Sequence, residues 1–142
     1  MTVTFCGHSD LTDEEIIRDW LFETTRLLIL RGAHQFLLGG YGRFDSLAAS
    51  VVWQMKRQAP DIESVLVLPY LDQNMDCSYY DCTLYPPLEK VPRRYAIVKR
   101  NEWMIDHSDT VVSYVTHGWG GAAKTLAYAK RRHKTILNYP DL

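Results

Sequence analysis

The sequence has no long hydrophobic run, no large excess of charge and no internal repeat, and each absence excludes a class of protein. Its longest aliphatic block, residues 27–30, is far too short to span a bilayer, and the first residues contain neither a basic leader nor an apolar signal segment. The net charge of −1 gives no general attraction to nucleic acid or to an anionic membrane. We therefore expect a cytoplasmic protein without membrane contact, which recognises any charged ligand locally.

Cysteines are few, and they form no recognisable pattern. Cys6, Cys77 and Cys82 are odd in number and contain no C-x-x-C pair, which fits reduced thiols better than a disulfide framework or a zinc site. Cys6 precedes Gly7 and His8, but a core cysteine at the end of a strand explains that triplet better than metal ligation does. We expect neither a metal site nor a bound cofactor.

Strand-like and helix-like patterns alternate along the chain, whose length and apolar fraction of 46% suit one globular domain over residues 1–142. The predicted strands are residues 2–6, 34–38, 64–68, 110–115 and 135–138. The predicted helices are a first one that starts near Asp10 or Thr12 and stops at Gly32, then residues 46–57, 93–107 and 126–131. This alternation predicts an α/β fold with a Rossmann-like, doubly wound parallel sheet of about five strands. The order 3-2-1-4-5 with helices on both faces is expected.

Residues 70–92 interrupt this alternation. The segment is rich in tyrosine and proline, namely Tyr70, Tyr79, Tyr80, Tyr85, Pro86, Pro87 and Pro92. It is longer than an ordinary connection, and such loops in compact domains are usually functional lids or disordered. Because the aromatic residues argue against disorder, we expect an irregular excursion with order of its own.

Three loops that follow predicted strands contain glycine: residues 7–9, 39–45 and 116–125. In a parallel sheet all three emerge at the carboxyl ends of the strands, and a glycine-rich turn before a helix lets backbone N–H groups approach an anion. The spacing of Gly118, Gly120 and Gly121 matches neither G-x-x-x-x-G-K-[ST] nor G-x-G-x-x-G, which argues against a kinase or a classical dehydrogenase. The alternative is that the glycines serve only a tight connection.

Four segments carry a family resemblance: Cys6-Gly7-His8-Ser9, Gly39-Gly40-Tyr41-Gly42-Arg43-Phe44-Asp45-Ser46, Lys99-Arg100-Asn101-Glu102-Trp103-Met104 and Gly118-Trp119-Gly120-Gly121. Together they resemble the SLOG superfamily, which includes the lysine-decarboxylase-like "Lonely guy" phosphoribohydrolases and the Smf/DprA proteins. The resemblance covers about residues 2–138. Within the superfamily, the chain most resembles the small stand-alone bacterial SLOG proteins of unassigned activity. It implies a Rossmann-like fold that binds a nucleotide or nucleotide-derived ligand at the glycine turns.

The resemblance also implies roles for single residues. In the phosphoribohydrolases an arginine in the helix before the fourth strand, and a glutamate after a P-G-G-x-G-T turn, serve cleavage of an N-glycosidic bond. Arg100 stands at the position of the arginine, whereas that of the glutamate is occupied by Lys124 or a neighbouring Ala123 or Thr125. None of these is a carboxylate, so the family's hydrolytic mechanism lacks a group. Asp45 matches the aspartate of the R-G-I-D segment of the Smf/DprA branch.

The predicted ligand-binding residues lie in the three loops and in the helix with Arg100. They are Gly7, His8, Ser9, Gly39, Gly40, Tyr41, Gly42, Asp45, Ser46, Arg100, Thr116, Gly118, Trp119, Gly120 and Gly121. Asp45 could bind a ribose hydroxyl or merely cap a helix. Arg100 could bind phosphate or be a solvated helix residue.

Aromatic and basic residues near the loops also have two interpretations each. His8 and His117 could contact phosphate or be ordinary loop residues. Trp119 and Tyr41 could stack on a base or pack under residues 70–92. The basic run at residues 130–134 lies at a helix C-terminus, and we interpret it as a solvated face.

The function predicted from these residues is binding of a nucleotide or nucleotide-derived ligand, of the ADP-ribose or nucleoside monophosphate type, by a sensor or sequestering module. The alternative is a nucleoside-monophosphate N-glycosidase, with Arg100 on the phosphate and Glu102 or Asp45 as the carboxylate. DNA binding in the manner of DprA is disfavoured by the near-neutral charge and the short chain. The expected partner is a nucleotide-like small molecule rather than nucleic acid, and the sequence leaves a homodimer open without fixing the oligomeric state.

Overall fold

A parallel sheet of six strands forms the centre of the computed structural model, which describes residues 1–71 and 74–140. In chain order the elements are β1 (Thr2–Gly7), α1 (Glu14–Leu30), β2 (Gln35–Leu38), α2 (Arg43–Met55), β3 (Glu63–Val67), β4 (Cys82–Leu84), a 3-10 turn (Arg93–Tyr95) that leads into α3 (Ala96–Asp106), β5 (Thr110–Tyr114), α4 (Gly121–Arg131) and β6 (Thr135–Tyr139). Neighbouring strands are parallel, in the order β4-β3-β2-β1-β5-β6.

The predicted fold class and strand order are confirmed, with one additional strand. Without β4 the order is β3-β2-β1-β5-β6, which is the predicted 3-2-1-4-5. β4 lies within residues 70–92, where we expected an irregular excursion; residues 72 and 73 of that segment lie outside the described residues. β4 pairs with residues 65–67 at the edge of the sheet, and its side chains are exposed or half-buried. So short an edge strand has no alternating apolar pattern by which the sequence could indicate it.

The starts of three helices differ from the prediction. α1 begins at Glu14, so neither Asp10 nor Thr12 caps it; its N-cap is Asp13, which makes no capping hydrogen bond through its side chain. α2 and α4 begin at residues 43 and 121, several residues earlier than predicted, directly after Gly42 and Gly120. These two glycines have φ values of 89° and 92°, a backbone conformation that favours glycine and lets the chain turn sharply from loop to helix.

Two pairs of helices cover the two faces of the sheet. α1 and α2 pack on the face that carries Phe5 and Phe36, where Phe44 of α2 is fully buried. α3 and α4 pack on the opposite face, which carries Leu37 and Val111. Side chains alternate between the faces along each strand, and burying each phenylalanine contributes about 1.5–3 kcal/mol. This core holds in place the strand ends from which the glycine loops emerge.

Candidate functional site

A cleft of about 520 Å³ opens at the carboxyl ends of β1 and β5. The strand order reverses between these two neighbours, because β2, β3 and β4 follow on the side of β1 and β6 follows on the side of β5. The connections that leave the two strands diverge, and the crevice between them is the usual ligand site of open α/β sheets. Its walls come from the loop after β1, the turn before α2, the helix α3 and the turn before α4.

The cleft brings together most of the predicted ligand-binding residues. Those that line it are Gly7, His8, Ser9, Tyr41, Asp45, Arg100, Thr116, Trp119, Gly120 and Gly121. Those that do not line it are Gly39, Gly40, Gly42, Ser46 and Gly118. The loop after β1 and the turn before α4 therefore contribute more of the cleft than the turn before α2.

Packing within the protein accounts for the glycines of the turn before α2. A Cβ atom on Gly42 would lie 2.8 Å from the Cα of Ser9, and one on Gly40 would lie 2.7 Å from Cδ1 of Leu66. The N–H of Arg43 also donates to the carbonyl oxygen of Ser9 at 2.9 Å. This turn holds α2 against the loop after β1, so its glycines are needed for close packing of the chain.

The turn before α4 is open to the cleft instead. A Cβ atom on Gly118 or Gly121 would meet no atom within 4 Å. The N–H groups of Gly121 and Ala122 have no acceptor in the described part of the protein, and they lie at the positive end of the α4 dipole. Nothing inside the protein requires glycine at positions 118 and 121, and the end of the helix is accessible to an anion.

Three aromatic rings stack in a column beside this turn. The ring centroids of His8 and His117 are 3.9 Å apart, and those of His117 and Trp119 are 3.7 Å apart. The N–H of Thr116 donates to Nε2 of His8 at 2.9 Å, so this nitrogen carries no proton. Burial and, next in size, the charge of His117 lower the pKa of His8, which keeps the acceptor available at neutral pH. Trp119 ends the column with 71% of its surface exposed.

Asp45 is a buried carboxyl in the first turn of α2, and it lines the cleft. It is not the N-cap, which is Gly42; its Oδ2 accepts the N–H of Tyr41 at 3.2 Å. Oδ1 is buried without a hydrogen-bond partner among the described residues. Burial raises the pKa of Asp45 to about 7, although the hydrogen bond from Tyr41 and the charge of Arg100 oppose the rise. A carboxyl with such a pKa can exchange a proton near neutral pH.

Arg100 is buried at the carboxyl ends of β2 and β3, which excludes the alternative of a solvated helix residue. Its Nη1 donates to the carbonyl oxygens of Gly39 and Val67 at 3.0 and 2.8 Å, and its Nε donates to Oδ1 of Asn101 at 2.9 Å. Burial lowers the pKa of Arg100, and the charge of Asp45 opposes that effect. Nη2 has no acceptor within the part of the chain that the structure describes, so its N–H groups remain for a ligand.

The cleft also contains residues that the sequence did not single out. α3 contributes Ile97, Asn101 and Met104 beside Arg100, at the spacing that places side chains on one face of a helix. Because Arg100 was already a predicted site residue, this helical spacing could have indicated its three neighbours from the sequence. The remaining additional lining residues are Phe5, Cys6, Asp10, Thr12, Tyr114, Ala122 and Thr125.

The residues considered in place of the family's glutamate mostly lie outside the cleft. Glu102 forms an ion pair with Lys99 at 3.3 Å and does not line the cleft. Lys124 is exposed on α4 and does not line it either. Asp45 is the carboxyl of the proposed pair that the structure brings into the cleft.

Cys6 is buried among the core residues, and this burial raises the pKa of its thiol to about 12. Cys77 and Cys82 are exposed and unpaired. Within residues 1–71 and 74–140, no group of three or more His, Cys, Asp and Glu side chains is arranged to hold a metal ion. In the same ranges, no helix is both long enough and apolar enough to cross a membrane.

The chain is similar in sequence to one protein of a bacterial prophage. It is 24% identical over 153 residues to the uncharacterized SPbeta prophage-derived protein YoqJ of Bacillus subtilis (strain 168), and the match covers 88% of each chain. No protein-family model matches the sequence. The likeness therefore identifies no activity.

Two solved structures have a similar fold. The X-ray structure of TM1055 matches with a TM-score of 0.64 and 22% identity, over 95% of this chain and 71% of that one. DNA processing protein A from Helicobacter pylori matches with a TM-score of 0.70 and 18% identity, over 100% of this chain and 66% of that one, so the present chain spans just under two thirds of its length. Both likenesses show a shared Rossmann-like fold and no more. In this fold the cleft occupies the switch point of the sheet, a position compatible with ligand binding.

Proposed function

We propose that the cleft binds a nucleotide or a nucleotide-derived ligand, of the nucleoside monophosphate or ADP-ribose type, and that the protein is a cytoplasmic sensor or sequestering module. The observation that carries the proposal is the open N-terminus of α4. Its first N–H groups lack acceptors among the described residues, and Gly120 and Gly121, which line the cleft, leave the adjacent space free of side chains. A phosphate group supplies the negative charge and the several acceptor oxygens that such a helix end binds.

Two buried groups in the cleft suit the rest of such a ligand. Among the described residues that line it, Arg100 is the single Lys or Arg side chain, and its Nη2 is free to donate to a phosphate oxygen. Asp45 offers a carboxyl with an unpartnered Oδ1, which suits a ribose hydroxyl. Recognition is therefore local, as a chain with a net charge of −1 requires.

A second candidate function is hydrolysis of an N-glycosidic bond, and one observation supports it. Burial raises the pKa of Asp45 to about 7, and the residue lies in the cleft beside Arg100. A carboxyl group in such a position can act as a general acid or base. Against it, no carboxylate follows the turn before α4, where Lys124 stands. Binding without turnover remains the preferred proposal.

Binding of single-stranded DNA, which the structure of DNA processing protein A concerns, is disfavoured for this chain. A groove that follows a nucleic-acid backbone carries several Lys and Arg side chains. The described residues lining this cleft include Arg100 alone of those two types. A ligand with one or two phosphate groups fits that charge better than a polynucleotide.

The direct test is mass spectrometry of small molecules that the purified protein retains, followed by calorimetry. We expect a nucleotide-type mass to be released on denaturation and to bind again when added back. The calorimetric panel contains AMP, GMP, CMP, UMP, ADP-ribose, ribose 5-phosphate and a short oligonucleotide. Binding of the oligonucleotide alone, or of no member of the panel, would contradict the proposal.

A matched pair of variants in α4 tests the position of the phosphate. Gly121→Val places a branched side chain in the open space at the helix end and should weaken nucleotide binding at least about tenfold by blocking the N–H groups. Ala127→Val places the same valine side chain at an exposed position of α4 outside the cleft and should leave binding unchanged. If both variants are folded and Gly121→Val binds as the parent does, the phosphate does not lie at α4.

A further inference from the structure

We propose that the outer face of Trp119 is the stacking site for the base of the nucleotide, so that the bound base becomes the next ring of the column formed by His8, His117 and Trp119. This inference rests on the proposed function and adds to it the subsite for the base. It is carried by the geometry of the column, the exposure of its last ring and the place of that ring beside the open end of α4.

The column has one covered end and one open end. His8 is fixed by the hydrogen bond from Thr116 and meets the ring of Tyr114 edge-on, at a centroid distance of 5.7 Å. His117 covers one face of Trp119 at 3.7 Å with an interplanar angle of 20°. No second ring contact with Trp119 occurs in the described part of the chain, which leaves its other face to solvent.

A tryptophan that is 71% exposed contributes little to the stability of the fold. Its neighbours in the turn, Gly118, Gly120 and Thr116, are small or polar, so the turn itself forms no apolar patch that would suit a protein surface or a lipid. An exposed flat ring that is stacked on one face matches a flat partner with polar edges. A nucleobase has that chemistry, and every base has a face that can stack.

The position of Trp119 connects this face with the proposed phosphate site. Trp119 precedes the N-cap Gly120 by one residue, and both line the same cleft. A ligand with phosphate on the N–H groups of Gly121 and Ala122 therefore has its base near this ring. Because the column already holds the indole, binding costs little ordering of the side chain.

The stacking site is tested by comparing ligands with and without a base. Calorimetry measures AMP and ribose 5-phosphate against the parent, Trp119→Ala and Trp119→Phe. We expect Trp119→Ala to lower the affinity for AMP by about 10- to 100-fold, the usual effect of removing a stacked aromatic side chain. The affinity for ribose 5-phosphate should stay within about twofold of that of the parent. Trp119→Phe should recover most of the loss. Tyr95→Ala removes another exposed aromatic ring, outside the cleft, and should change neither ligand.

Each other outcome has a definite meaning. An unchanged affinity of Trp119→Ala for AMP overturns the stacking site, and so does an equal loss for AMP and ribose 5-phosphate, because the residue would then act on the turn. If the parent binds ribose 5-phosphate but no purine or pyrimidine monophosphate more tightly, the phosphate site stands and the base subsite falls. If the parent binds none of these ligands, the proposed function itself is wrong. Tighter binding of oligo(dA) than of AMP, lost in Trp119→Ala, would assign the same face to single-stranded DNA.

Discussion

Arg100 and Asp45 approach each other beside the α-carbon of Gly39, although α3 and α2, which carry them, pack on opposite faces of the sheet. A Cβ atom on Gly39 would lie 3.3 Å from Nη2 of Arg100 and 3.3 Å from Oδ2 of Asp45. The two groups make no direct hydrogen bond in the described part of the chain. The buried guanidinium group and the buried carboxyl group thus both lie beside Gly39, just after the carboxyl end of β2.

The first prediction concerns the stability that Arg100 supplies. Arg100→Ala should lower the free energy of unfolding by about 3–5 kcal/mol, because it leaves the carbonyl groups of Gly39 and Val67 unpaired and removes a cation whose charge acts on the buried Asp45. Urea denaturation measures the loss. Lys99→Ala, at the exposed neighbouring position of α3, is the control and should change the free energy by less than about 0.5 kcal/mol. Equal urea midpoints for the two variants would show that the hydrogen bonds of Arg100 to Gly39 and Val67 do not stabilise the fold.

The second prediction concerns the pH dependence of stability that Asp45 causes. Its pKa is raised to about 7 from the ordinary value of 3.8, so the folded protein holds a proton that the unfolded chain releases. The corresponding stability is fully present below pH 3.8 and is lost as the pH rises through about 7, by at most about 4 kcal/mol. In Asp45→Asn this dependence should disappear, while the amide oxygen can still accept the N–H of Tyr41. Unfolding by urea between pH 4 and 8 measures it, and parallel curves for parent and variant would contradict the assignment.

A third prediction separates glycines needed for packing from glycines that have open space around them. A Cβ atom on Gly7 would lie 2.3 Å from Cδ2 of Phe44, so Gly7→Ala must displace a buried ring and should cost about 1–3 kcal/mol or more. Gly118→Ala meets no atom within 4 Å and should leave the stability unchanged or slightly raised. Thermal unfolding compares the two variants. If Gly118→Ala is as unstable as Gly7→Ala, the turn before α4 is packed more tightly than the structure shows.

The sequence predicted the sheet because its signals are local and repeated. Each strand is a short apolar run, each helix has its own periodicity, and right-handed crossovers convert that series into the order observed. The open turn at residues 118–121 was also predicted, because glycines between a strand and a helix have a conformational meaning that can be recognised locally. β4 was missed because only its pairing with residues 65–67, distant in the chain, makes it a strand.

The burial of Arg100 could not be predicted for the same reason. The carbonyl groups that accept its hydrogen bonds lie 61 and 33 residues earlier in the chain, one just after β2 and the other at the end of β3. Its helix neighbours Lys99 and Glu102 are charged and pair with each other, which makes the segment resemble a solvated face. The anchoring role of Arg100 therefore depends on how β2, β3 and α3 pack together, which no local pattern in the sequence indicates.

The fourth prediction concerns His8. Burial and the adjacent His117 lower its pKa below 6.5, and the hydrogen bond from Thr116 requires an unprotonated Nε2. The stabilising contribution of the neutral ring is therefore present above pH 6.5 and is lost as the pH falls through the lowered pKa. NMR titration of the ring should show that pKa, and His117→Ala should raise it part of the way to 6.5. His133→Ala, outside the cleft, should leave it unchanged; a pKa of His8 above 6.5 in the parent would contradict the stacked, neutral column.

The last prediction decides between a binding protein and a hydrolase. A glycosidase needs a carboxylate that stabilises positive charge at the anomeric carbon or removes a proton from water, and such a group typically contributes about 10²–10⁴ in rate. Asp45 lies in the cleft, but no carboxylate follows the turn before α4, where Lys124 stands. We therefore expect no release of free base from AMP, other nucleoside monophosphates, NAD or ADP-ribose above a control without protein.

Chromatography of the reaction mixtures measures the free base, and two variants make the result specific. Glu102→Gln changes a carboxylate that pairs with Lys99 outside the cleft, so it should have no effect on any base release. Asp45→Asn changes the carboxyl inside the cleft. Free base that accumulates in proportion to the protein, persists in Glu102→Gln and disappears in Asp45→Asn would establish the hydrolase, because only a carboxyl in the cleft can reach the glycosidic bond.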